Sequence, residues 1–338
     1  MKKGKSLVAI VSVLLLTLVL VALPVSGGCA AKPAEAITLD FVTFTPLANE
    51  IEYQFFKREF IDKVNERAKG ELVINVRGGP EVIPGFDLGV AVQKGTIDMA
   101  IIPTAFFESL VPGADSTKLS IYTAWEEREN NIYEYIVEMY EKAGLYYLGR
   151  PEASKPHYFH LYVNKRIEKP EDFAGLKFGG STAFHGHYKR LGASVATLAI
   201  PEYNSAMERG VVDGVDTSIF MGMTIGLQEV SKYLIGYGFY RATPSLPINL
   251  DSWNRIPKHL QELMIETMAE FEKKFYPYED EQHEVFLKKH EEAGVELLYF
   301  PPDMEEWFIE AANEGSWDYA LERFPGDVIP KLREKITK

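Results

Sequence analysis

Ala91-Val92-Gln93-Lys94-Gly95-Thr96-Ile97-Asp98 and Ala206-Met207-Glu208-Arg209-Gly210-Val211-Val212-Asp213 follow one pattern. In each, a helix ends in a basic residue and a glycine suited to the C-cap, and an apolar strand then runs to an aspartate at its far end. One helix-glycine-strand unit is common in α/β chains. Two units this similar read as two lobes built on one plan.

The flanking chain alternates in the same way. Thr45-Pro46 reads as an N-cap with proline at the first helical position, and Ile51, Phe55, Phe56, Phe60 and Val64 recur at helical spacing until Gly70. Strands are expected at 72–76, 97–102 (closed by Pro103), 145–148, 158–163, 176–178, 194–199 and 211–215. Helices are expected to end at Gly95 and to run over 125–143, 182–191 and 201–209. Strands separated by helices of this length form parallel sheets with crossover connections. Beyond Pro247 the texture changes. Residues 256–293 form one long helix rich in Glu and Lys, interrupted only at Pro277, with Leu260, Leu263, Met264, Met268 and Phe271 on one face. A strand over 295–300 and a helix after Pro301-Pro302 follow. The apolar spacing does not hold through clean heptads, so a helix lying across two lobes is preferred to a coiled coil.

The chain has 338 residues, 46% hydrophobic and 25% charged, which fits globular domains and excludes disordered or fibrous classes. Its net charge of -13 gives no attraction to nucleic acid or to an anionic membrane surface. The single cysteine, Cys29, allows no internal disulfide and no multi-cysteine metal site. Lys2, Lys3 and Lys5 precede an apolar run from Leu7 to Leu23, and Ser26-Gly27-Gly28 stands directly before Cys29. Residues 1–29 therefore read as an export signal with a lipobox-like end, and Cys29 as the lipidation site. The usual Leu three places before the cysteine is replaced by Ser26. No second apolar run approaches a membrane span, so the expected membrane attachment is the N-terminal lipid, with ordinary cleavage nearby or an uncleaved anchor as the alternative readings.

Four strings then carry a resemblance: Gly78-Gly79-Pro80-Glu81-Val82-Ile83-Pro84, Lys94-Gly95-Thr96-Ile97-Asp98-Met99, Lys169-Pro170-Glu171-Asp172-Phe173-Ala174-Gly175-Leu176-Lys177, and Glu208-Arg209-Gly210-Val211-Val212-Asp213-Gly214. In this order, behind an export signal, they resemble the DctP-type solute-binding proteins of TRAP transporters. The resemblance implies a two-lobed periplasmic-binding-protein-like α/β fold, each lobe a mostly parallel sheet flanked by helices, with a long helix spanning both. It places the first lobe at 37–157 plus 246–300, the second at 158–245, and packing helices at 301–338. It also implies an extracytoplasmic receptor for a small metabolite, an organic acid by family tendency, with TRAP permease subunits as partners. No cofactor, metal, nucleic acid or catalytic residue is implied.

Members that bind carboxylates usually carry an Arg two places after the Lys of the Gly-Leu-Lys strand, where its planar fork grips the ligand. Here that place is Gly179, and Asp216-Thr217 stands where an Asn is usual. Two readings stay open. Backbone N–H groups at Ser181 and Thr182 hold an anion at a helix start, with His185 or Arg150 supplying charge. Alternatively, an uncharged or aromatic ligand stacks on Phe178 and Phe184. Strand-end position adds Phe44, Thr45, Thr104, Asp216 and Thr217 as binding candidates, and family position adds Glu81 and Tyr203. Phe178 and Phe184 equally suit a core, and Arg150 a salt bridge. His157, His160, His259, His283 and His290 are expected to be exposed or structural. Two alternatives are carried: a secreted serine hydrolase using Ser181 with Asp216 and His259, and a receptor that presents its ligand to a sensor kinase.

Overall fold

The computed structural model describes residues 36–151, 159–180 and 182–338. Cys29, Ser181 and His157 lie outside them. Twelve strands occur in these segments: β1 (Ile37–Thr43), β2 (Leu72–Gly78), β3 (Met99–Pro103), β4 (Leu145–Tyr147), β5 (Phe159–Val163), β6 (Lys177–Gly180), β7 (Ser194–Thr197), β8 (Gly214–Ser218), β9 (Tyr233–Ile235), β10 (Pro244–Ser245), β11 (Pro247–Asn249) and β12 (Glu296–Leu298). They form two six-stranded sheets. The first has the order β2-β1-β3-β11-β4 with β10 paired to β3, and the second has the order β12-β9-β5-β8-β6-β7.

Side-chain alternation explains why the strands are so apolar. In β3, Met99 and Ile101 enter one core while Ala100 and Ile102 enter another on the opposite face. In the second sheet, Leu161 and Val163 face one core and Tyr162 the other. Strands covered on both faces read as continuous hydrophobic runs.

In the first sheet β11 and the two-residue β10 run against the other four strands, and in the second β5 alone is reversed. β11 runs antiparallel to β3 and β4, and β5 antiparallel to β8 and β9. These are the first full strands laid down after the chain crosses from one sheet to the other. The two crossings hold each other. Leu148 N donates to Leu246 O (3.1 Å) and Leu246 N to Gly149 O (2.9 Å), while Phe159 N donates to Tyr240 O (3.2 Å) and Phe239 N to Phe159 O (3.0 Å).

The repeated octapeptide does one job twice, although its strands begin later than the pattern predicts. β3 starts at Met99 and β8 at Gly214, so Asp98 and Asp213 stand immediately before the strands. Each aspartate pins the neighbouring parallel strand. Asp98 Oδ2 accepts from Asp40 N (2.8 Å) on β1, and Asp213 Oδ2 accepts from Lys177 N (2.9 Å) on β6. Gly95 and Gly210 both adopt left-handed backbone, φ 69° and 65°.

Other boundaries also shift for local reasons. The first helix starts at Glu50, not at Thr45-Pro46, because Asn49 Oδ1 accepts from Ile51 N (3.1 Å) and Glu52 N (2.9 Å). Its opening turns are wide, with Gln54 N bonding Asn49 O five residues back (2.9 Å). The 125–143 helix is two helices, Ala124–Glu129 and Ile132–Glu141, divided where Asn131 takes φ 56°. The spanning helix, Lys258–Glu292, runs unbroken through Pro277. Lys273 and Pro277 are both exposed, so the carbonyl deprived of its donor faces water.

Leu260, Met264, Met268, Phe271 and Phe275 of that helix pack on the first sheet, and Leu287 packs on the second. Its exit strand β12 joins the second sheet through β9, although residues 246–300 are grouped with the first lobe on sequence. The Pro302–Arg323 helix also touches both cores, with Phe308 and Ala311 in one and Trp317 and Ala320 in the other. Among the described residues, no helix is long and apolar enough to cross a membrane.

The Pro302–Arg323 helix meets the short helix His185–Arg190 backbone to backbone, because a Cβ on Gly186 would collide with the carbonyl oxygen of Gly315. Gly186→Ala is therefore expected to destabilise the protein by about 1–3 kcal/mol despite the better helix propensity of alanine. Urea unfolding of the variant against the parent measures it.

Candidate functional site

A narrow cleft with a cavity of about 20 Å³, open at its mouth, lies between the two sheets at the crossings. Phe44 follows β1, Ile51 and Glu52 come from the first helix, and Ile101 from β3. Pro151, Ala242 and Pro244 belong to the crossings, Phe220 follows β8, and Phe275 and Glu279 come from the spanning helix. Ser218 Oγ accepts from Met221 N (3.1 Å), opening the short helix that carries Phe220 directly at the end of β8. The walls are aromatic and aliphatic, with two carboxyl side chains among them. Apolar walls with few polar groups are the lining of a small-ligand site, and the space in this arrangement is about that of one water, so the lobes have to part to admit a ligand.

Of the residues singled out from sequence, Phe44 lines this cleft, edge-on to Phe106 at 6.5 Å. Thr45 sits just beyond, buried, its backbone N–H donating to Thr43 Oγ1 (3.2 Å). Glu81 is exposed and its carboxylate accepts from Gly79 N (2.7 Å), shaping the loop that backs Thr45. Thr104 belongs to the crossing. Its N–H donates to Thr243 O (3.1 Å) and its hydroxyl to Asp115 Oδ1 (2.9 Å). Lys118 ties Asp115 to Tyr240, donating to the Tyr240 hydroxyl at 2.8 Å. Arg150 is buried, donating to Glu127 Oε1 and to Thr117 O, each at 3.0 Å.

The second-sheet candidates lie elsewhere. Phe178 is in the core, 4.9 Å from the Tyr188 ring. Phe184 is also buried, edge-on to Tyr240 at 4.6 Å, and so approaches the crossing. Gly179 faces Leu198 and Val215. His185 is exposed in a surface groove with Lys189, Arg190 and Asp318. Tyr203 and Thr217 are buried, Thr217 opposite His160 across the β5–β8 ladder. Asp216 is 1% exposed. It accepts a hydrogen bond from the Tyr188 hydroxyl, and its Oδ1 has no partner among the described residues.

The histidines divide as follows. His259 is exposed and bonded to Glu71 at 3.1 Å, so Asp216 and His259 do not form the dyad a serine hydrolase would need. His160, His283 and His290 are buried. Each bonds across the long helix and β5: His160 Nε2 to His283 Nε2 (2.7 Å), and the Tyr162 hydroxyl to His290 Nε2 (3.0 Å).

Phe44 apart, the nine other cleft residues escape the sequence reading, Glu52, Phe220, Phe275 and Glu279 among them. A signal existed for the two acids. Glu52 lies three and four residues before Phe55 and Phe56, and Glu279 four after Phe275, so both are carboxyls on an apolar helix stripe.

The model of the bacterial extracellular solute-binding protein family 7, DctP, matches residues 42–322. The chain belongs to this family. Its members are solute-binding receptors and not enzymes. Among curated relatives, a solute-binding protein of Albidiferax ferrireducens is 24% identical over 64% of this chain and 66% of its own length. A monocarboxylate 2-oxoacid-binding periplasmic protein of Nostoc is 25% identical over 60% of this chain. This chain spans only 57% of the Nostoc protein's length. A TRAP periplasmic solute-binding protein of Desulfovibrio salexigens, solved with bound orotic acid, superposes with a TM-score of 0.73 at 18% identity, covering 89% of this chain and 99% of that one. At that identity the likeness shows the two-lobed fold alone.

Burial pushes the Asp216 carboxyl up to about 8, partly offset by the Tyr188 hydrogen bond. The native state thus keeps a proton that the unfolded chain releases above about pH 4, and stability falls as pH rises from there to about 8. Asp216→Asn keeps an acceptor for Tyr188 without that penalty. It is expected to be more stable than the parent by more than about 1 kcal/mol at pH 8, the gap shrinking towards pH 5. Urea unfolding at the two pH values checks this; a variant weaker at both would show that the carboxylate is ionised in the native state.

Proposed function

We propose that this protein is an extracytoplasmic receptor that takes a small organic acid into the interlobe cleft and delivers it to a TRAP-type permease. The observation that carries the reading is the cleft itself. The first sheet, the short helix that follows β8 of the second, both crossings and the spanning helix contribute to its wall, so a ligand there bridges the lobes and favours the arrangement in which they approach. An organic acid is the class favoured by the relatives, one named for 2-oxoacids and one solved with orotic acid. We further propose that Cys29 carries a lipid that tethers the receptor at the outer face of the membrane. One prediction follows from the sequence there: Cys29→Ser is expected to move the protein from the membrane fraction to the soluble fraction, and retention would point to an uncleaved anchor.

A thermal-shift screen against 2-oxo monocarboxylates, dicarboxylates, orotate, amino acids and sugars tests the ligand class. At a hundred times its dissociation constant a ligand adds about 2.7 kcal/mol, a rise of several degrees at this size. A response confined to sugars would remove the acid. Phe44→Ala, at a half-buried position on the cleft wall, is expected to weaken a hit roughly tenfold with little loss of stability. Titration calorimetry reads that change.

A further inference from the structure

If the occupant is an acid, the cleft poses an electrostatic problem. Among the described residues its only ionisable linings are Glu52 and Glu279, and Phe44, Phe220 and Phe275 keep the local dielectric low. The described crossing residues that face it, Pro151, Ala242 and Pro244, are uncharged, and residues 152–158 lie outside the described residues. Among the described residues, the cations that flank the crossing linings are directed elsewhere, Arg150 to Glu127 at 3.0 Å and Arg241 to the carbonyl oxygens of Lys118 (2.8 Å) and Ser120 (3.1 Å). The arginine usual in the family is Gly179 here.

Glu52 is held in place. Its backbone N–H and its carboxylate are both gripped by Asn49, through Oδ1 at 2.9 Å and Nδ2 at 3.1 Å. Burial pushes this carboxyl up to about 7, against the pull of the Asn49 hydrogen bond. An ionised ligand beside an ionised Glu52 would repeat the situation of two carboxylates in one apolar site, which resolve it by sharing a proton.

Resting on the organic-acid reading of this cleft, we propose that Glu52 binds the ligand in its protonated form, donating its O–H to the ligand carboxylate. The site then recognises a carboxylate together with one proton, taken from solvent when the free carboxyl is ionised, and no cation is required for the contact. The short O–H···O⁻ bond that results is among the stronger hydrogen bonds.

Calorimetric titration of the full chain with pyruvate, malonate and orotate, at pH 6 and pH 8.5 in phosphate and in Tris, tests this. The expected result at pH 8.5 is uptake approaching one proton per ligand, with affinity falling roughly tenfold per pH unit above about pH 7. Glu52→Gln keeps a donor in nearly the same shape and is expected to bind with no proton exchange and the same affinity at both pH values. Binding heats that do not depend on the buffer, affinity that rises with pH, or a Gln variant that keeps the parent's pH slope would each overturn the role of Glu52 while leaving an acid receptor intact. Failure of all three acids to bind at either pH would remove the organic-acid reading and this inference together. The proton count is made on the parent protein, so it stands whether or not the variant folds.

Discussion

Glu272 is 1% exposed, and the spanning helix and the first crossing meet at its carboxylate. Arg128 donates to it twice, at 2.7 and 2.8 Å, and the backbone N–H of Arg150 adds a third bond at 3.2 Å. Arg128 Nη2 also reaches Leu148 O (2.9 Å), and the Arg150 guanidinium pairs with Glu127. One network thus ties the middle of the spanning helix to the Ala124–Glu129 helix and to the chain as it leaves β4. Buried charges are costly unless every member is satisfied, and removing one partner strands the others. Gly149 is part of this constraint: a Cβ there would lie 2.7 Å from Arg128 Nη2 and against Glu272. The crossing can be neither shifted nor filled without breaking the network, which fixes where the cleft opens.

The far half of the same helix is held by different chemistry. His160 Nδ1 bonds Ile235 O (2.8 Å) and His290 Nδ1 bonds Phe286 O (2.7 Å), so each neutral ring offers Nε2 as an acceptor, to His283 and to Tyr162. Burial, with the neighbouring His283, depresses His160 to about 3. Native imidazoles that stay neutral while unfolded ones charge near pH 6.5 lose stability as pH falls through that window. The charged network holds the helix on the first sheet, and the neutral relay holds it on the second. The hold of the histidine end therefore weakens as pH falls, and the cleft lies between the two ends.

Much of this scaffold was legible because it rests on local rules. The repeated Gly-strand-Asp unit, the apolar runs of both-face strands and the long amphipathic stripe all write burial directly into sequence. What escaped were features decided by tertiary pairing. Asp98 and Asp213 look like strand ends but are backbone acceptors for a neighbouring strand. Thr45 looks like a cap, yet Asn49 wins because two backbone N–H groups converge on its side chain. The reversed strands β5 and β11 carry no direction in their sequence, since antiparallel pairing follows from the two crossings. Proline 277 reads as a break, and the exposed carbonyl that makes it harmless cannot be seen before the helix is placed.

The candidate site was less legible than the fold, and Gly179 shows why. Strand-end logic directs attention to the second sheet, where an arginine is usual. In this chain Leu198 and Val215 close over that position; a Cβ on Gly179 would lie 2.6 Å from Leu198 Cδ1. The wall is sealed by aliphatic packing, and Phe178 beside it serves the core. Polar recognition then has to come from across the cleft. The first helix supplies it at Glu52, a residue that a stripe analysis passes over because its neighbours Phe55 and Phe56 are so plainly core. A carboxyl on an apolar stripe carries a desolvation cost, which the Arg128 guanidinium offsets at Glu272, whereas at Glu52 the hydrogen bond from Asn49 leaves the second carboxyl oxygen available to a ligand.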